Sequence, residues 1–115
     1  MMKLDISTLD NGVRLAKLSG KMDIQGVNQI GEEFSQKIGG AGIGTIVDMS
    51  EVSFIASLGM RTLLTAARDV MNHNGKLVIL QPQDLVKEAL TITGLTNLIP
   101  CYDNQDEAIA ALNPT

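Results

Sequence analysis

Cysteine occurs once in this sequence, as Cys101, which excludes an intrachain disulfide and any multi-cysteine zinc site. Set in an apolar stretch, it reads as a small buried side chain. Histidine also occurs once, as His73. No second histidine or cysteine can partner it in catalysis, and no His-Glu metal spacing is present. Aromatic residues make up 3% and tryptophan is absent. Base-stacking surfaces are then limited to Phe34, Phe54 and Tyr102, and the core must be assembled from Leu, Ile, Val, Ala and Met. The 9 Lys and Arg residues are outnumbered by 13 Asp and Glu, for a net charge of -4. A nucleic-acid binder needs a basic face, so that partner class is disfavoured. No apolar run approaches bilayer length, and Met1-Met2-Lys3-Leu4-Asp5 carries no apolar stretch of signal length. The expectation is a soluble cytoplasmic protein with no membrane partner.

What is present suffices for a core. The 115 residues and 44% hydrophobic content fit one domain, 1-115, that needs neither disulfide nor metal. Met2, Leu4 and Ile6 alternate with polar residues, as in a half-buried strand. Asp10-Asn11-Gly12 predicts a tight hairpin turn with both central residues at positive φ, and Val13 to Leu18 returns antiparallel. Gly20 and Asp23 mark the exit from that strand. Val27, Ile30, Phe34 and Ile38 recur at helical spacing. Thr45 to Met49 reads as a buried strand followed by a loop. Met60, Leu63, Leu64, Ala67, Val70 and Met71 trace one face of a second helix, which Asn74-Gly75 stops. Leu77-Val78-Ile79-Leu80 suits a strand covered on both faces. Pro82 fits the first turn of a third helix, with Leu85, Val86, Ala89 and Leu90 as its buried stripe and Gly94 at its end. Leu98 to Tyr102 reads as a short edge strand, since Pro100 cannot donate to a ladder. Asp106 and Glu107 suit the start of a last helix carrying Ala108, Ile109 and Leu112. The order β-β-α-β-α-β-α-β-α defines an α/β class: a mixed, mostly parallel sheet of about five strands with about four helices.

Chemistry has few places to reside. The cluster Gly39-Gly40-Ala41-Gly42-Ile43-Gly44 follows a helix and precedes a strand, the reverse of a phosphate-cradling loop. It reads as a helix end and flexible loop. Asp48 and Glu51 are close in sequence but lack the setting of an acid/base dyad, and Asp48 reads as a loop anchor. Ser57 and His73 fall at opposite ends of one helix, about 24 Å apart at the α-helical rise. No enzyme constellation results, and no cofactor is implied. Ser57 itself sits where the chain passes from strand and loop into the second helix. From pattern alone it reads as the helix N-cap, beside the positive end of the helix dipole. Ser50 and Ser53 are rival hydroxyls that open no helix. Asp23 reads as a cap of the first helix or as a solvated turn residue.

The stretch Asp48-Met49-Ser50, Val52 and Phe54-Ile55-Ala56-Ser57-Leu58-Gly59-Met60 resembles the signature loop of STAS domains, the anti-sigma factor antagonists of bacterial partner-switching systems. Leu18-Ser19-Gly20-Lys21-Met22-Asp23 resembles the family's upstream Leu-x-Gly-x-x-Asp element, and the element order agrees over nearly the whole chain. The resemblance implies a single STAS-like domain that binds an anti-sigma factor of histidine-kinase-like ATPase fold and thereby frees a sigma factor. It implies that this partner phosphorylates Ser57 with ATP, that the complex then dissociates, and that a phosphatase resets the switch. The partner surface it implies includes Asp23, Ala56, Ser57, Leu58, Gly59 and Met60. Many antagonists carry Asp immediately before the modified serine; Ala56 stands there in this chain. The alternatives are a non-phosphorylated STAS scaffold or accessory subunit of a transport or stress-signalling complex, and a ligand-binding or hydrolytic domain.

Overall fold

Alternating and continuous apolar runs form the strands expected of them. In the computed structural model, which describes residues 2–9, 11–38 and 44–112, they are β1 (Lys3–Thr8), β2 (Arg14–Met22), β3 (Thr45–Ile55), β4 (Leu77–Leu80) and β5 (Cys101–Tyr102). The helices are α1 (Ile24–Ile38), α2 (Ser57–Asn72), α3 (Asp84–Ile92) and α4 (Gln105–Leu112), with a 3-10 turn at Leu95–Asn97 before β5. The sheet runs β1-β2-β3-β4-β5. β1 is antiparallel to β2, and every other neighbouring pair is parallel. This is the expected mixed α/β sheet, with β5 at its edge.

Side-chain alternation divides the core between the two faces of the sheet. Val47, Leu77 and Ile79 share one cluster with Val27, Ile30 and Phe34 of α1, Leu63 and Val70 of α2, and Val86 and Leu90 of α3. Their neighbours Ile46, Val78 and Leu80 point the other way and meet Ala108 and Leu112 of α4. β4 is buried at all four positions, as its apolar run requires.

Several local expectations change. The hairpin forms, but its connection is longer than two residues and, among the described residues, only Gly12 takes positive φ there, at 85°. Gly12 N–H donates to the Leu9 carbonyl, and the Asn11 side chain accepts from Val13 N–H. Asp10 and the glycine cluster from Gly39 to Ile43 lie outside the described residues. Pro82 precedes α3 instead of lying in its first turn, the cap position falling on Gln83. Leu85 is 75% and Met71 55% exposed, because the helices tilt their stripes toward Val86 and Leu90, and toward Ala66, Ala67 and Val70. Asn74, at φ 70°, ends α2 as expected: its N–H and that of Gly75 return to the Met71 and Val70 carbonyls.

The largest change concerns β2 and β3. Both run well past Leu18 and Met49, and the stretch expected as a loop up to Ile55 is strand. Register jumps from Lys17↔Asp48 to Ser19↔Glu51 and from Gly20↔Val52 to Lys21↔Phe54, so β3 carries two extra residues. Such bulges keep the ladder going while re-aiming side chains. Gly20, at φ 113°, lies inside this stretch and does not mark the strand's exit.

Candidate functional site: two adjacent helix starts

Because β2 and β3 are parallel and end in register at Met22↔Ile55, the helices that follow start side by side. Ala56 N–H donates to the Met22 carbonyl at 3.0 Å and ties the two exits together. The carboxyl ends of adjacent parallel strands are where open α/β sheets most often place their sites.

At the α1 start, Asp23 is the cap. Its Oδ1 accepts Gly26 N–H at 2.8 Å and its carbonyl accepts Val27 N–H at 2.9 Å. The cap reading of Asp23 is therefore realised. Gly26 is required here, since a Cβ would lie 2.1 Å from the Lys21 carbonyl oxygen.

At the α2 start the expectation for Ser57 is corrected. Ser57 is the first helical residue, and the cap position belongs to Ala56, extended at φ -98° and ψ 172°. The β3 ladder runs through Ile55, so the chain turns one residue earlier than the pattern suggested. Among the described residues no side chain caps this helix, and its first turn holds no acidic residue. The open backbone N–H groups and the dipole leave a positive helix end. Ser57 is exposed there.

The other residues expected on this surface divide. Leu58 and Met60 are half-buried against the core, and Ala56 is half-buried at the turn. Gly59 is buried, and a Cβ on it would come within 2.9 Å of Met22 Cγ and of Ile55 Cγ1. Its smallness lets α2 press on the end of β2. Among the six, only Ser57 presents a largely exposed side chain.

Sequence reasoning missed the apolar flank. Phe54 is exposed, and with Ser53, Ile55, Leu85, Val86 and Ala89 it lines a cleft of 250 Å³. A lone aromatic in a polar-looking segment was the available signal. On the other flank Lys21, Asp23, Gln25, Gln29 and Ser53 line a more polar cleft of 540 Å³. Ser53 and Ser50 both lie in β3. Ser50 is held by its N–H on Asp48 Oδ1 at 2.9 Å, while its carbonyl accepts from Gln83 Nε2 at 2.9 Å. Asp48 thus anchors the chain, as expected.

The remaining reactive groups stand apart. His73 occupies the opposite end of α2, its Nδ1 2.8 Å from the Asp69 carbonyl oxygen. Burial pushes the half-buried Cys101 thiol up, which disfavours the thiolate. Glu51 bonds to Lys17 at 2.8 Å and raises the ammonium, in an exposed pair. Among the described residues, no three His, Cys, Asp or Glu side chains converge as a metal site would need. No helix among them is long and apolar enough to cross a membrane.

A five-stranded mixed sheet with two helix starts meeting over its central strands is the architecture of a STAS domain. The STAS family profile matches residues 7–108, and the chain belongs to that family. It is similar to BtrV of Bordetella bronchiseptica, named as a candidate anti-sigma factor antagonist, with 26% identity over 96% of this chain and 94% of that protein. Its fold matches the crystal structure of an anti-sigma factor antagonist from Mycobacterium paratuberculosis, with a TM-score of 0.85 and 18% identity over 97% of this chain and 94% of that one. It also matches the Bacillus cell fate determinant SpoIIAA in its phosphorylated form, with a TM-score of 0.71 and 20% identity over 96% of this chain and all (100%) of that one.

Proposed function

We propose that this protein is an anti-sigma factor antagonist that works in the cytoplasm by binding, without catalysis of its own, and that a phosphoryl group on Ser57 releases its partner. The partner is an anti-sigma factor of histidine-kinase-like ATPase fold, which also supplies the phosphoryl group, and a phosphatase removes it. The observation that carries this reading is the exposed Ser57 in the uncapped first turn of α2. A hydroxyl there is reachable by a kinase, and the helix end tolerates the charge that results. The name of BtrV and the phosphorylated form of SpoIIAA support the same reading.

Phosphate adds about -1.5 to -2 charges at pH 7. Inside a packed interface that charge would have to be desolvated or would meet like charge. A penalty of about 3 kcal/mol weakens binding roughly a hundredfold. Calorimetry of wild type, Ser57→Ala and Ser57→Asp against the partner, with and without ATP, tests this. Wild type should be released by ATP, Ser57→Ala should stay bound, and Ser57→Asp should bind weakly from the start. Equal affinities throughout, with ATP releasing none, would replace the switch with a STAS scaffold.

A further inference from the structure

We propose that the Arg61 guanidinium is the intrachain receiver of a phosphoryl group on Ser57, gripping it from one turn further along α2; this rests on the Ser57 reading above. Residues four apart on a helix are surface neighbours. Each Cα–Cβ bond tilts toward the helix N-terminus, which brings the turn that holds Ser57 within the reach of a long side chain at position 61. Arg61 is exposed, and among the described residues it forms no ion pair. The shallow groove it lines, with Gly31, Phe34, Ser35, Thr62, Thr65 and Ala66, contains no competing charge. The first turn of α2 has no acid to occupy it either. A guanidinium offers a rigid fork of donors matched to phosphoryl oxygens. The open N–H groups of the first turn then meet the phosphoryl group from below and Arg61 meets it from the side.

This gives the modification a second effect. Before it, Arg61 is exposed and in no ion pair among the described residues, so it can meet an acidic group on the partner. After it, the fork is held within the chain. Local charge at the helix start changes from about +1 to about -0.5 or -1, so the partner loses a cation and meets an anion in one step.

The test uses the full chain with phosphoserine installed at position 57 by genetic encoding, so it does not depend on any kinase. Phosphorus NMR follows the second phosphate ionisation in the Arg61 protein, in Arg61→Gln and in Arg61→Lys. A cation beside the dianion lowers its midpoint, so the Arg61 protein should titrate about 0.15–0.4 pH unit below Arg61→Gln. Arg61→Lys, which keeps the charge but loses the fork, should fall between them. Equal midpoints in the Arg61 protein and the Arg61→Gln variant overturn the proposal. A second measurement needs no substitution: the Arg61 Nε–H resonance should shift on phosphorylation, and an unchanged resonance also overturns it. Phosphosite mapping on protein from its native cell tests the Ser57 reading separately, and an unmodified Ser57 there would sink the switch while leaving the Arg61 titration result standing.

Discussion

The starts of α1 and α2 lie side by side and are finished in opposite ways. At α1 a side-chain carboxylate, Asp23 Oδ1, already fills the position an anion would take, 2.8 Å from Gly26 N–H. At α2 the cap position holds Ala56, and among the described residues no side chain caps the free N–H groups. The other two helices fall on the closed side: Asn104 accepts from Glu107 N–H at 2.8 Å at the start of α4, and Asp84 stands in the first turn of α3. Among the four described helices, α2 alone has neither a capping side chain nor an acid at its start, and it is the one that carries the exposed serine. A closed start contributes stability, whereas an open one keeps a positive helix end available to a group that comes and goes.

The contrast can be broken most forcefully at the closed start. Gly26→Ala puts a methyl group onto the Lys21 carbonyl, where only backbone movement makes room. The expected loss is about 3 kcal/mol, read by urea denaturation; a loss below about 1 kcal/mol would show that the α1 start yields easily. Asp23→Ala removes the cap alone, and a smaller loss of about 1 kcal/mol is expected. Hydrogen exchange should locate it in the first turn of α1, and protection unchanged there would refute the cap assignment.

The open start should respond in the other direction. Ala56→Asp places an acceptor at an extended residue already in the cap position, so a gain of about 0.5–1 kcal/mol is expected, seen as a melting temperature higher by about 2–5 °C. The same substitution should also occupy the N–H groups that favour the phosphoryl group, so unchanged or lowered stability would count against the open-end description. The smallest effect belongs to Ser57→Ala. The Ser57 side chain caps nothing, so stability should change by less than about 0.5 kcal/mol, in contrast to the loss of about 1 kcal/mol that a true cap would show. A drop of that larger size in thermal melts would mean the hydroxyl bonds the helix after all.

Much of this was legible locally. Val27, Ile30, Phe34 and Ile38 are spaced for one helix face, and all four are buried on α1. The four-residue apolar run at β4 suits a doubly covered strand, and it is one. The motif around Ser57 could be read as a STAS signature because family motifs are contiguous in sequence. Exposure was less legible. Leu85 and Met71 carry the apolar character of a buried stripe, but each lies at the margin of its helix's face, where the tilt of the helix on the sheet decides burial.

What the sequence by itself determined is the order of the elements and the faces they bury, because periodicity and turn chemistry act within a few residues. What only the tertiary structure decided is where β3 stops. The stretch from Ser50 to Ile55 is broken by the polar residues Ser50, Glu51 and Ser53, and taken alone it has the composition of a loop. It forms a strand because β2 supplies the ladder partners, with two bulges absorbing the mismatch. Pairing of that kind joins residues about thirty positions apart and leaves no local mark. Its consequence is local all the same: with the ladder carried through Ile55, the turn falls on Ala56, the cap position holds no polar side chain, and Ser57 faces outward at an open helix end.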